Sequence, residues 1–222
     1  MEPKPRSARG VVFSWRQRSW YCGYPRGMFE TVPTLRGSHV TLRPLEVGDA
    51  RALFEVTPQE TFRLFLSWPT EWTATGFEAW VKAKMFGPRQ RAMVVTLTRT
   101  GEVVGSTSFL DIDPVNKAVE VGSTWYTPTV RGTMVNPECK LLMLAYAFEV
   151  EGCERVTLKT DARNEHSKRA MTKLGAVYEG VLRKHRIQQN GFVRDTAYFS
   201  VVREEWANVK AGLRKRLGES GL

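Results

Sequence analysis

DARNEHSKRAMTKLGAVYEG, from Asp161 to Gly180, is the stretch that decides the fold. Its first half reads as a strand end followed by a helix. Asn164 stands at the turn, and Ala170, Met171 and Leu174 recur at helical spacing on one face. Gly175 comes directly after the last periodic residue, where helices commonly stop. A strand follows, AVYEGVL, with Ala176, Tyr178 and Gly180 on one face and Val177, Glu179 and Val181 on the other. Asn164 suits a helix cap, and on that reading Ser167 is incidental. A polar Asn-x-x-Ser at the mouth of an otherwise apolar helix is unusual for an element that only packs.

Immediately upstream, Arg155–Thr160 is a short apolar strand, and downstream Phe192–Val202 is another, followed by a basic helix over Glu204–Leu217. Before them lies TWYTPTVRGTMVNPECKLLMLAYAFE, Thr124 to Glu149, a strand that turns into a long helix. Asn136 is the expected cap, with Pro137 at the first helical position, where its missing N–H does no harm, and the helix runs to about Glu151. A strand that turns into a helix aims several free N–H groups and the positive end of the helix dipole at one spot, which suits a pyrophosphate.

Further back, Ala92–Thr98, Glu102–Leu110 and Lys117–Tyr126 are β-rich runs joined by short turns, the pattern of an antiparallel meander. SHVTLRPL (Ser38–Leu45) alternates like a first strand, and helices are expected over Val47–Val56, Pro58–Leu66 and Thr75–Phe86. The whole is a mixed α/β layer with an antiparallel front and a β-helix-β unit at the back. A Rossmann fold would need strand and helix to alternate throughout, and the first half does not supply that.

A chain of 222 residues, 42% hydrophobic and 25% charged, matches one soluble enzyme-sized domain. It has no apolar run of the roughly 20 residues that span a bilayer and no apolar secretory core, so a cytoplasmic, membrane-free protein is expected. Three scattered Cys and three scattered His form neither a disulfide framework nor a metal pattern, and no metal is expected. The net charge of +10 is concentrated at the ends. Lys4, Arg6, Arg9, Arg16, Arg18 and Arg26 stand near the start, and Lys210, Arg214, Lys215 and Arg216 near the finish. The body carries no helix-turn-helix, zinc-finger or RNP-like signature, so any nucleic-acid contact would come through these tails. Residues 1–30 read as a basic extension, or as a start taken too far upstream with Met28 the natural one. Residues 35–206 read as the domain, and 207–222 as a basic helix and tail.

The full phrase Asn164-x-x-Ser167-x-x-Ala170-x-x-Lys173-Leu174-Gly175-Ala176, then Glu179-Gly180-x-Leu182-Arg183, resembles half of the acyl-CoA site of GNAT N-acetyltransferases. The similar branch is the one that acetylates alanine or serine N-termini of ribosomal proteins. The loop before the long helix resembles that family's pyrophosphate loop, Arg/Gln-x-x-Gly-x-Gly/Ala. Arg131 and Gly132 match, whereas Met134 and Asn136 replace glycines and Pro137 replaces a threonine. The variant Asn136-x-Glu138-x-Lys140 is familiar within the same branch. The likeness extends from about Leu35 to Glu205.

The resemblance implies the GNAT acyl-CoA N-acyltransferase fold, a mixed sheet whose splayed third and fourth back strands admit acetyl-CoA. It assigns acetyl-CoA to Trp125 and Tyr126 on the strand, to Arg131, Gly132, Thr133, Met134, Val135, Asn136 and Glu138 in the loop, and to Asn164 and Ser167. Ser167 is the implied hydrogen-bond donor to the departing CoA thiolate and Glu120 the implied base, with a solvated strand carboxylate as the plainer reading of Glu120. Phe65, Leu66 and Trp68 would shape the acceptor side, although an aromatic there is more commonly core. The acceptor is expected to be a protein N-terminal amine. A small amine (amino acid, polyamine or aminoglycoside) and a non-catalytic acyl-CoA-sensing module are the alternatives, and the family admits a homodimer.

Overall fold

The computed structural model describes residues 27–218. The first 26 residues, which carry most of the expected basic extension, and the last four fall outside it. One mixed sheet runs in the order β1 (Leu35–Arg36), β2 (Val40–Pro44), β4 (Gln90–Leu97), β5 (Val103–Asp113), β6 (Ala118–Tyr126), β7 (Arg155–Asp161), β9 (Val193–Val202) and β8 (Val177–Ile187). A short β3 (Phe86–Gly87) pairs with β4. The pairs are antiparallel except β6–β7, whose parallel course follows from the helix that crosses between them. That pair is bonded only from Ala118–Glu120 to Arg155–Thr157, and beyond it the two strands part.

Strand alternation gives the sheet two buried faces. Leu42, Met93, Val95, Val119, Val121, Val156 and Leu158 pack on one, under α3 (Val135–Ala145) and α5 (Trp206–Arg216). On the other, Phe62, Phe77, Trp80, Val94 and Trp125 form an aromatic core beneath α1 (Ala50–Val56) and α2 (Ala74–Lys84). α4 (Glu165–Leu174) connects β7 to β8 and ends at Gly175 in the left-handed region (φ 98°).

Four expectations change. The helix over Pro58–Leu66 is only a 3-10 turn, Gln59–Phe62, because Phe62 and Phe65 are drawn into the aromatic core rather than onto a helical stripe. Asn136 does not cap α3: it lies within the first turn, Met134 holds the N-cap position without a side-chain bond, and Asn136 Oδ1 instead accepts from the Tyr126 hydroxyl at 3.2 Å. β8 extends to Ile187, and irregularities around Gly180 and Lys184 break the regular alternation expected of it. The folded body also reaches past 35–206 at both ends. Phe29 is fully buried against Phe109 and Tyr146, and α5 contributes Val209 and Leu213 to the core.

Candidate active site

The site begins where β6 leaves β7. β6 carries an extra residue against β5 between Gly122 and Trp125, a bulge in which Ser123 takes φ 47°. From Val121 to Tyr126 the strand is laddered to β5, and its other edge faces the gap. Beneath the bulge Thr124 Oγ1 meets Thr107 Oγ1 at 2.8 Å and accepts from Lys140 Nζ at 3.0 Å.

At the wide end of the gap lies the loop into α3. A 3-10 turn, Pro128–Val130, leads to Arg131, whose guanidinium donates to Tyr126 O (3.1 Å) and Thr61 Oγ1 (3.2 Å). Gly132 turns the chain at φ 79°, a region that glycine enters without strain. Thr133 Oγ1 donates to Val130 O and accepts from Val135 N. The first bond inside the helix is Glu138 N to Met134 O, so the dipole and the Asn136 N–H stand at the loop. Gly132, Thr133 and Met134 are exposed there, as an anion-binding turn requires.

Two residues assigned to the cofactor are committed elsewhere. The Glu138 carboxylate is buried and accepts three N–H bonds, from Ser38 (2.8 Å), His39 (2.7 Å) and Val40 (2.6 Å), while its own N–H is spent within α3. The Trp125 ring lies in the aromatic core, its Nε1 donating to Thr57 Oγ1 at 3.1 Å. Only the backbone of Trp125 remains on the gap.

Across the gap stands α4. Asn164 Oδ1 accepts from Ser167 N at 3.0 Å, so the side chain caps the helix and keeps its amide N–H₂ for another partner. Ser167 is half-buried in the first turn, one turn above the capped end.

Glu120 sits at the last bonded pair before the strands part. Its carboxylate meets Lys159 Nζ at 2.7 Å, and Lys159 reaches Asp111 at 2.8 Å. Burial raises the Glu120 carboxyl above the ordinary carboxylate range, with Lys159 pulling against the rise. Asp111 is held below its ordinary value, chiefly by its hydrogen bond from Lys159. Arg89, Asp113 and Thr157 complete the pocket of about 330 Å³ around these three side chains.

The expected acceptor segment forms a wall with the tip of the β8–β9 hairpin. Gln188 Nε2 donates to Phe65 O (2.9 Å), Gln189 N to Leu66 O (2.9 Å), and Trp68 N to Gln189 Oε1 (3.1 Å). Phe65 packs edge-on against Phe62 and Trp125, and Trp68 packs against the same core, while Leu66 is exposed. Gln188, Gln189, Lys159 and Lys140 were not singled out as site residues from the sequence. Only Lys140 carried a local signal, the Asn-x-Glu-x-Lys spacing; the others are brought in by long-range pairing. Among the described residues no group of His, Cys, Asp and Glu could hold a metal ion.

A mixed sheet split at its one parallel strand pair, with a donor-rich helix entrance on one side of the split and a capped helix on the other, defines an acyl-CoA-dependent transferase. The model of the acetyltransferase (GNAT) domain matches residues 39–177, more than half of the chain, and the chain belongs to that family. It is 28% identical over 183 residues to the Bacillus subtilis protein named "Putative ribosomal N-acetyltransferase YdaF", covering 78% of this chain and 96% of the relative. It is 36% identical to a T. thermophilus protein whose structure is titled "putative acetyltransferase", with a TM-score of 0.80 over 86% of this chain and all of that one. Mycobacterium smegmatis RimJ, in complex with CoA-disulfide, superposes with a TM-score of 0.67 at 20% identity, over 84% of this chain and 93% of RimJ, a likeness of fold alone. The protein is thus an acetyl-CoA-dependent N-acetyltransferase. No helix among its described residues is long and apolar enough to cross a membrane.

Proposed function

We propose that the acceptor is the N-terminal α-amine of a protein, a ribosomal protein in the first instance, acetylated in the cytoplasm. The observation that carries this reading is the state of Glu120. It is half of an ion pair with Lys159, so the base nearest the split is not a free carboxylate. An α-amine has a pKa near 8 and a lysine near 10.4, so at neutral pH freeing lysine costs about 3 kcal/mol more. A carboxylate already engaged by an ammonium suits the easier amine. The name of the Bacillus subtilis relative supports the same acceptor class.

Acetyl-CoA supplies the activated acetyl group as a thioester. The open edge of β6, the loop Arg131–Asn136 and the Asn164 amide fit its pantetheine and pyrophosphate, since each offers N–H groups not used within the fold. In the transfer the amine nitrogen bonds to the carbonyl carbon and the carbon–sulfur bond breaks. Glu120, directly or through water, takes the amine proton, and CoA leaves as the thiolate, its sulfur hydrogen-bonded by Ser167, and takes its proton from solvent. An alcohol is a poor acid beside a thiol of pKa about 8.5, so Ser167 stabilises charge rather than supplying the proton.

Thiol release from acetyl-CoA, measured over a panel of amines, tests the reading. The panel holds ribosomal-protein N-terminal peptides, the same peptides Nα-blocked but with a free lysine, spermidine, an aminoglycoside and single amino acids. The free N-terminal peptides should give the highest kcat/KM. A polyamine, an aminoglycoside or a blocked lysyl peptide turning over faster would overturn the acceptor assignment. Calorimetric binding of acetyl-CoA with no turnover of any amine would favour an acyl-CoA-sensing module.

A further inference from the structure

Lys140 is a long cation in the interior of the domain. It lies on the second turn of α3, only 9% exposed, amid Leu141, Met143 and Leu144. Its ammonium donates to a threonine hydroxyl, Thr124 Oγ1, not to a carboxylate. Burying an ammonium with a neutral partner is expensive, and an apolar residue of like volume would fill the space without that cost. The location of Thr124 suggests why the cation is there. Thr124 is in the β6 bulge, in the section that has left β7, and it is tied further to Thr107 on β5 and to Gly122 O. One ammonium thus fixes the irregular backbone at the split from behind, in a place where charge–dipole interactions are strong.

We propose that Lys140 is a positioning residue for acetyl transfer: through Thr124 its ammonium holds the β6 bulge so that strand N–H groups meet the oxygen of the thioester, with a positive charge behind them as that oxygen becomes negative. The proposal rests on acetyl-CoA lying along β6, and not on which amine accepts. Preorganised donors of this kind act on the transition state more than on binding.

The groups facing Lys140 are few. Thr124 faces it from β6 and Thr107 from β5, Cys139 adjoins it on α3, and Glu120 on the other face of β6 acts on it only through its charge. Burial brings the Lys140 ammonium down to about 8, with the Glu120 carboxylate opposing the fall, while burial holds the Cys139 thiol neutral with its pKa up at about 12. Lys140 therefore loses its proton just above neutrality, and turnover should decline there.

The test compares Lys140→Met, Lys140→Arg and Thr124→Val with the full-length wild type on whichever amine of the panel is acetylated. Lys140→Met should lower kcat about tenfold or more at pH 7 with KM for acetyl-CoA within about twofold, the signature of a lost transition-state contribution. Thr124→Val should give the same loss, and the double variant no more than either single one, as expected for residues acting as one unit. Wild-type kcat should fall above pH 8, and Lys140→Arg, whose charge does not titrate, should remove that fall. Wild-type kcat in Lys140→Met at pH 7, or an alkaline fall that persists in Lys140→Arg, would overturn the proposal. If Lys140→Met does not fold, the pH profiles of Lys140→Arg and Thr124→Val decide it. Failure of N-terminal peptides as acceptors would remove the acceptor assignment and leave this comparison intact on the amine that does react.

Discussion

If Glu120 is the base proposed above, it is the side chain through which the chemistry can be titrated. Burial raises its carboxyl and Lys159 restrains the rise, so the two influences separate on mutation. Replacing Lys159 by Met removes the restraint. The carboxyl should rise further, and the acid limb of kcat/KM should move to higher pH, because the base must be ionised to act. Glu120→Gln should lower the rate chiefly below the acceptor's pKa, with the deficit shrinking where the amine is already neutral. Both are read from pH profiles on one peptide. A limb that Lys159→Met leaves in place belongs to the amine and not to Glu120. Arg194 shows a related economy: it is buried beside Thr196 and Leu64 O, and burial lowers its pKa, yet as an arginine it keeps its charge.

Among the elements, α4 answers most directly to substitution. Asn164 has two ends: Oδ1 caps the helix, and the amide N–H₂ is the group proposed to meet pantetheine. Asn164→Ala should cost about 1 kcal/mol of stability as well as raising KM for acetyl-CoA. Asn164→Asp keeps the capping oxygen and adds a charge favourable at a helix N-terminus, so it should hold the melting temperature while still raising KM. Equal KM values in wild type and Asn164→Asp would remove Asn164 from the cofactor. The β8–β9 hairpin makes a second test, since Gln188→Ala with Gln189→Ala removes the side-chain bonds to Phe65 and Trp68 and leaves only the backbone bond to Leu66. KM for the acceptor should rise severalfold and KM for acetyl-CoA should stay; the opposite pattern would put this wall on the cofactor side. The contrast between these elements explains what could be read from the sequence. Asn164 and Gly175 signal within a single turn, and the observed helix, Glu165–Leu174, lies between them as expected. Trp125 could not be read so. Strict alternation puts it on the face of Val119 and Val121, and the extra residue at Ser123–Thr124 turns it to the other face, among Phe62 and Trp80. A bulge is set by pairing with β5, which no local pattern announces. The helix expected over Pro58–Leu66 gives way for the same reason: the segment's order comes from Trp125 and from the hairpin.

For the molecule as a whole, Lys140 is a stability liability whose size depends on pH. Its pKa is about 8 in the fold and 10.5 as a free side chain, so the folded state binds fewer protons between those values. The cost of holding the charge is complete below pH 8 and is relieved as pH rises toward 10.5. Lys140→Met should therefore be more stable than wild type at pH 7, by on the order of 3 kcal/mol at most, with the advantage shrinking through that window. Thermal melts of both proteins from pH 7 to 10 measure it, and a constant difference would dissociate the stability gain from the buried charge. The Glu138 clamp has a different consequence. One carboxylate in the first turn of α3 takes the amides of Ser38, His39 and Val40, and so fastens the amino-terminal hairpin to the end of the loop proposed for acetyl-CoA. Opening that hairpin and loosening the loop are consequently one local unfolding event. A molecule that binds the loop withdraws population from the opened form, whether or not it touches the hairpin. Those three amides thus act as remote reporters of occupancy, their hydrogen exchange slowing in proportion to acetyl-CoA saturation.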